Sequence, residues 1–411
     1  MHQGLNKYPR TFRASCLLTI ILLFLCSCIK EPDSDKVVIC IPVYGQSLAL
    51  GEEAERITDF DSLSSYANGR IVTKDLDHDF GYFDVNSIKE SAKKLIRYRK
   101  RSYELSIYSM AKTIARHTGK DTMICIFPGG QGATAIAQLS KGSAPYSKFI
   151  KDIETACQEA HSRGWSFIVP AICWMQGESD IVDYPPTNYQ QQIKKIWKDM
   201  NADILSVTLQ KDSIPFIIYQ PNSLSRAKHF NGNNYTCREA QVPQTFVNLL
   251  ISDKWFWASG PTYPYSCVDE KIHIDAKGQQ HIGMLAAKSA IGILHKEKRN
   301  MGLIPTSVSL EEDYVSVHFN IPEPPLTFDT IQVSKANHYG FSVINKENRD
   351  ILQSVSIEDD VIRLQCSESP QDCFVRYAVN GDYMKSGCLH GPRGNLRDQG
   401  NWCYQFNIRC E

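Results

Sequence analysis

The stretch Phe167-Ile168-Val169-Pro170-Ala171-Ile172-Cys173-Trp174-Met175-Gln176-Gly177-Glu178-Ser179-Asp180 decides how the chain is read. Its first half, Phe167–Cys173, is apolar throughout. That suits a strand covered on both faces, as in a parallel sheet. Its second half turns abruptly polar and puts a side-chain amide and two carboxylates where such a strand would end. Layered α/β folds bind their ligands outside the carboxyl ends of the strands. Whatever follows a run of this kind is therefore a candidate for chemistry.

Similar runs recur on either side. Val37–Val43, Met123–Phe127 and Pro215–Tyr219 are short, rich in Val, Ile, Phe or Tyr, and apolar on both faces. Between them, Leu105–His117, Tyr146–Ser162, Asn188–Met200 and Gly278–His295 carry apolar residues at three- and four-residue spacing, the period of a helix with one buried face. Alternating strands and helices predict an α/β layer fold with a mostly parallel sheet over residues 37–300. Past Ile304 the period changes. Ser307–Leu310, Tyr314–Phe319, Thr330–Val333, Gly340–Ile344, Val361–Gln365 and Phe374–Ala378 are short, often alternate polar with apolar, and are not interrupted by a helical pattern. They predict a small all-β sandwich over residues 305–411. Glu52–Arg101 and Asn222–Thr262 read as loops that would carry substrate specificity.

Four segments follow the strands. Gly45-Gln46-Ser47-Leu48-Ala49-Leu50-Gly51 sets a serine directly after the first run, and Gly45 permits a tight turn. Such a serine can also cap a helix or close a turn. Pro128-Gly129-Gly130-Gln131-Gly132-Ala133-Thr134-Ala135-Ile136 offers backbone N–H groups to a phosphate or to an oxyanion, but lacks the Gly-Lys-Ser/Thr ending of a P-loop. Gln176 could face the same oxyanion through its amide, while Glu178 and Asp180 also suit local hydrogen-bonding and capping roles. Val268-Asp269-Glu270-Lys271-Ile272-His273-Ile274-Asp275 places His273 in a loop with carboxylates just before it. Such a carboxylate can hold an imidazole in the tautomer that a general base requires.

Together these segments resemble the SGNH hydrolase superfamily, in its branch of carbohydrate acetylesterases that includes the sialate O-acetylesterase-like proteins and carbohydrate esterase family six. The likeness covers roughly Val37 to Ala290. Gly45-Gln46-Ser47 matches the nucleophile block, and Gly132-Ala133-Thr134-Ala135-Ile136 resembles the Gly-Gly-Thr-Ser-Ile block with Ala at its second and fourth places. Trp174–Asp180 matches the Trp-x-Gln-Gly-Glu-Ser-Asp block almost residue for residue. The resemblance implies a three-layer α/β/α, flavodoxin-like fold. It also implies Ser47 as nucleophile, His273 as general base, and an oxyanion hole of Ser47 N–H, Gly132 N–H and the Gln176 amide. The family's last block is Asp-x-x-His, whereas here Glu270 stands three places before His273 and Asp269 four. Either acid can complete the triad, and Asp269 is preferred because the shorter acid is usual in the family. Val375–Ala378 and Gly391–Asp398 look like the β-sandwich appended to some bacterial members. Its Arg393, Arg397 and Asp398 read as a loop-fixing ion network.

Composition limits the alternatives. The 45 Lys+Arg balance the 45 Asp+Glu, so there is no electrostatic grip on nucleic acid. At the N-terminus Lys7, Arg10 and Arg13 precede the apolar run Leu17–Leu25. This run is short of the roughly 20 residues of a membrane-spanning helix and has the length of a secretory signal core. Leu25-Cys26-Ser27-Cys28 resembles the bacterial lipobox, with Cys28 as the lipidated residue. The expectation is a signal peptide over 1–27 and a flexible tether over 28–36. The protein would then be an exported bacterial lipoprotein anchored at the outer membrane, on its periplasmic face or at the cell surface.

Of 14 cysteines, Cys40, Cys125 and Cys173 lie in apolar runs and read as buried thiols. Cys237 and Cys267 could pair, and Cys366, Cys373, Cys388, Cys403 and Cys410 crowd the last stretch as disulfides would. The histidines lack metal-ligand spacing, so no metal or other cofactor is expected. The sequence thus reads as a serine esterase acting on O-acetylated carbohydrate, sialate or plant or host glycan. The main alternative is a glycan-binding surface lipoprotein on a degenerate esterase fold. An esterase for lipid chains ranks lower, for want of a long apolar lid segment.

Overall fold

The computed structural model describes residues 36–59, 62–63, 66–72, 103–182, 188–227 and 241–410. The signal peptide, Cys28, the tether before Lys36 and Cys237 lie outside these residues. In chain order the first part consists of β1 (Val37–Cys40), β2 (Val43–Gly45), β3 (Ile71–Val72), α1 (Ser106–Arg116), β4 (Thr122–Cys125), β5 (Pro128–Gly130), α2 (Ala144–Ser162), β6 (Ser166–Ile168), β7 (Ile172–Met175), α3 (Glu178–Val182), α4 (Tyr189–Thr208), β8 (Phe216–Gln220), α5 (Gln241–Ser252), β9 (Phe256–Pro261) and α6 (Ala276–Leu294).

Two of the apolar runs are each split once, into β1 and β2 and into β6 and β7, and β4 in the Met123–Phe127 run is followed after a break by β5. The ladder continues through the breaks, with Ile41 N–H donating to Cys125 O (2.9 Å) and Cys173 N–H to Pro42 O (3.0 Å). The order across the sheet is β3, β4–β5, β1–β2, β6–β7, β8, β9, with all pairings parallel. Alternate residues serve opposite faces, as the two-residue period of a strand requires. Val38, Cys40 and Tyr44 meet Phe149 and Ile153 of α2, Ile193 of α4 and Phe246 of α5 in one core. Ile39, Ile41 and Val43 meet Met110 and Ile114 of α1 and Ile282 and Ala286 of α6 in the other. The result is the α/β layer fold that the alternating pattern predicts, in the three-layer form that the resemblance implies.

The second part is all β: β10 (Ile304–Glu311), β11 (Tyr314–Asn320), β12 (Thr327–Phe328), β13 (Phe341–Ile344), β14 (Leu352–Glu358), β15 (Val361–Cys366), β16 (Phe374–Tyr377), β17 (Leu396–Arg397) and β18 (Phe406–Arg409). An antiparallel sheet β10-β11-β15-β14 faces a second, β13-β16-β18, with a short β12-β17 ladder beside them. The rings of Phe319 and Phe406 lie 6.2 Å apart between the two sheets.

Several expectations need correcting. Asn222–Thr262 is no single loop, because it contains α5 and β9. Thr330–Val333 is not a strand; Asp329 Oδ1 accepts from the N–H groups of Ile331 and Gln332 (2.9 Å each) and folds the backbone into a turn. The ten described cysteines are free thiols, those of the last stretch buried in the apolar core rather than paired. Arg397 pairs with Asp329 (3.1 Å), not with the Asp398 carboxylate, and Arg393 donates to Ser334 O and Gly391 O, so these residues fix loops separately.

The two parts share one hydrophobic cluster, which holds Phe256 and Tyr263 together with Leu303, Val317 and Phe406. Buried polar pairs also cross between them. Gln220 Nε2 donates to Gln405 O (2.8 Å), and Gln220 Oε1 accepts from Gln405 N–H (2.7 Å). Gly260 N–H donates to Tyr404 Oη (2.7 Å).

Candidate active site

All four segments singled out in the sequence lie past the carboxyl ends of strands: Ser47 after β2, Gly132 after β5, Gln176 after β7 and His273 between β9 and α6. Gly45, Gly130 and Met175 are neighbours in register. A Cβ on Gly45 would lie 1.8 Å from Met175 O, and one on Gly130 would lie 1.8 Å from Gly45 O. Only glycine lets the strand ends approach this closely.

Ser47 is buried, at 4% exposure, in a tight run of turns. Its carbonyl accepts from Leu50 N–H (3.1 Å) and Glu52 N–H (3.0 Å). Among the described residues, no acceptor engages the N–H of Ser47 or of Gly132. Two of the three expected oxyanion donors are thus unspent. A Cβ on Gly132 would lie 2.4 Å from Glu52 Oε1, so a side chain there would push the Glu52 carboxylate aside. Ser47 Oγ makes no hydrogen bond to a described residue, so the contact with His273 is not made here. Such contacts commonly tighten only when substrate binds.

Gln176 is placed otherwise than expected. It is fully buried, and its Nε2 faces three acceptors, Asp180 Oδ2 (2.5 Å), Gln46 Oε1 (3.2 Å) and Thr134 O (3.2 Å). Two amide hydrogens cannot satisfy three acceptors and a substrate as well. Its Oε1 accepts from Tyr189 Oη (2.8 Å). The amide therefore braces the loops instead of pointing at an oxyanion. The rest of the block acts likewise: Asp180 accepts from Ile136 N–H (2.9 Å), and Glu178 accepts from Tyr219 Oη. Burial pushes the Glu178 carboxyl up to about 7 and that of Asp180 up to about 6.

His273 lies in a tight loop. Cys267 and Ile274 form an antiparallel bridge, and Val268 N–H donates to His273 O (2.8 Å). Asp269 and Glu270 occupy the turn beyond this pair, with φ of +52° and +53°. From there their side chains leave on the outer side. Asp269 is exposed beside Lys271 (3.3 Å), and Glu270 takes Lys385 Nζ on Oε2 (2.7 Å) and His390 Nδ1 on Oε1. Those two partners hold the Glu270 carboxyl below its usual range. Neither expected acid bonds to His273. The carboxylate that does is Glu53, with Oε2 2.8 Å from His273 Nδ1. Sequence reasoning passed over Glu53 because a partner 220 residues away leaves no local signal. Two contacts thus tie the histidine side of the site to the serine loop: Glu53 to His273, and Gln279 Nε2 to Leu48 O (3.0 Å). Among the described residues no cluster of His, Cys, Asp and Glu could hold a metal ion.

The strand ends of this α/β/α layer fold thus carry a serine, a glycine-rich turn and a histidine held by a carboxylate. Residues 106–292 match the family described as carbohydrate esterase, sialic acid-specific acetylesterase; Gly132, Gln176 and His273 fall within the match, and Ser47 and Glu53 precede it. An Arabidopsis thaliana protein described as a "probable carbohydrate esterase" is 25% identical over 170 residues, 41% of this chain and 55% of that protein. The likeness therefore spans about half the length of that relative. A carbohydrate acetylesterase from Xanthomonas citri shares the fold at a TM-score of 0.63 and 14% identity, over 91% of this chain and 80% of its own. The chain is thus similar in sequence to carbohydrate esterases over residues 106–292 and shares its fold with a carbohydrate acetylesterase.

Proposed function

We propose that this protein is a serine esterase that removes O-acetyl groups from carbohydrate. The observation that carries the reading is Ser47, set past the end of β2 with its own N–H and that of Gly132 unspent, while His273 is tied to the same loop. Ser47 Oγ attacks the acetyl carbonyl, and its proton passes to His273 Nε2. The oxyanion rests on the N–H groups of Ser47 and Gly132; loss of one such donor typically costs about 100- to 1,000-fold in rate. Collapse breaks the ester C–O bond, and His273 returns the proton to the departing sugar oxygen. Water, deprotonated by His273, then cleaves acetyl-Ser47 and releases acetate. The substrate is an acetylated glycan, with sialate and plant or host polysaccharide as candidate classes.

The test is hydrolysis of p-nitrophenyl acetate by the chain beginning after Cys28, beside Ser47→Ala. Turnover that falls to background in the variant supports the reading, and acetylated glycans are assayed next. A folded wild type no faster than the variant would leave a glycan-binding protein on an inactive esterase fold. We further propose export and lipid anchoring at Cys28, supported by the lipobox-like Leu25–Cys28. Palmitate labelling that survives Cys28→Ser would refute that anchor.

A further inference from the structure

We propose that Glu53, rather than Asp269 or Glu270, is the carboxylate that positions His273 for catalysis; the proposal rests on the serine-esterase reading. Its Oε2 lies 2.8 Å from His273 Nδ1. The side chains are 47% and 17% exposed, so the imidazole is the more covered of the two. With Nδ1–H donated to Glu53, the lone pair of Nε2 is left to take the serine proton. The imidazolium formed in that step then lies against a negative charge.

The competing acids are committed elsewhere. Asp269 is 73% exposed beside Lys271, and both oxygens of Glu270 are taken by Lys385 and His390. A swing of either toward the ring would have to rebuild the turn that carries Val268 and His273.

The backbone under Glu53 is prepared for the task. Ser47 and Glu53 belong to one hydrogen-bonded loop: Glu52 N–H donates to Ser47 O (3.0 Å), Ala54 N–H to Gly51 O (3.1 Å), and Glu104 N–H to Ala54 O (2.9 Å). Leu48, Ala49, Leu50 and Ala54 anchor the loop in the core. Glu53 itself sits at φ +64°, left-handed backbone that a side chain other than glycine adopts at a cost. Strain of this kind persists where the surroundings enforce it, often at active sites. Here it directs the carboxylate to the histidine. The nucleophile and the positioning acid thereby share one loop, and only the base comes from afar.

The plain alternative is an ion pair that merely staples two loops together. Kinetics on p-nitrophenyl acetate separate the two, using the chain after Cys28 with Glu53→Gln, Glu53→Ala, Asp269→Asn and Ser47→Ala. The expected result for Glu53→Gln is a kcat lower by about 30- to 1,000-fold with KM within about threefold and Tm nearly unchanged. A buried triad acid costs about 10,000-fold, and Glu53 is half-exposed. Added formate, small enough to reach the vacated position, should restore part of the activity of Glu53→Ala in a saturable way. A staple would give no formate rescue, and its loss would lower Tm along with kcat. The proposal is overturned if Glu53→Gln keeps kcat within about threefold of wild type, or if Asp269→Asn collapses while Glu53→Gln does not. Should Glu53→Gln fail to fold, Glu53→Ala with and without formate decides. A wild type no faster than Ser47→Ala would overturn the esterase reading first, and this proposal with it.

Discussion

Burial decides what the carboxylates of the Trp174–Asp180 block do. Glu178 is 1% exposed, accepts from Tyr219 Oη, and has an Oε2 without a partner. Burial pushes it from 4.5 to about 7, so the folded chain keeps a proton that the unfolded chain releases. The stabilisation is full below about pH 4.5 and is lost as pH rises toward 7. Glu178→Gln keeps an acceptor for Tyr219 and removes the ionisation. Its Tm should exceed that of wild type by roughly 2–6 °C at pH 8 and match it near pH 4.5. A gap independent of pH would show that Glu178 is not the titrating group. The same block marks the limit of what its residues disclose in sequence. Gln176 was recognisable as a family position, but the acceptors around its amide come from Gln46, Thr134 and Asp180, and the first two are distant in sequence.

At the level of elements, three strand ends crowd together because nothing but hydrogen projects from Gly45 and Gly130. Gly45→Ala would drive a methyl into Met175 O, which is backbone and cannot swing aside. The expected loss is at least about 3 kcal/mol of unfolding free energy, or failure to fold, measured by urea denaturation. A variant as stable as wild type would refute the close packing. Strands buried on both faces were legible as unbroken apolar runs, and α1, α2 and α6 were legible from their period. β9 was not, because Phe256-Trp257-Ala258-Ser259-Gly260-Pro261 mixes turn formers into a strand that pairs with β8 and lies under α6. α5 has Pro243 in its first turn and was likewise read as loop. Conversely, the strand-like Thr330–Val333 gave way to one Asp329 side chain, which satisfies two N–H groups locally.

Across the whole molecule, the β part reaches the loop that carries His273. Lys385 and His390 hold Glu270, and Ser386 N–H donates to Glu270 O (2.8 Å), three residues before His273. Lys385→Ala combined with His390→Ala should lower kcat by about 3- to 30-fold and speed amide hydrogen exchange over residues 266–275, with the β core unchanged. Unaltered exchange there would show that the loop holds itself. That the end of the chain is a sandwich was legible from its short alternating strands. Its grip on the His273 loop was not, since Glu270, Lys385 and His390 are polar residues of the kind any surface carries. The reciprocal pair between Gln220 and Gln405 bears on whether the β half can be exchanged. Both residues are buried, and the Gln220 amide serves the backbone N–H and C=O of Gln405 as a neighbouring strand would. Without the β half, Gln220 would keep its Nε2 bond to Pro243 O (3.0 Å) but leave its Oε1 buried without a donor. A β half grafted in its place would have to supply the same two backbone groups to Gln220.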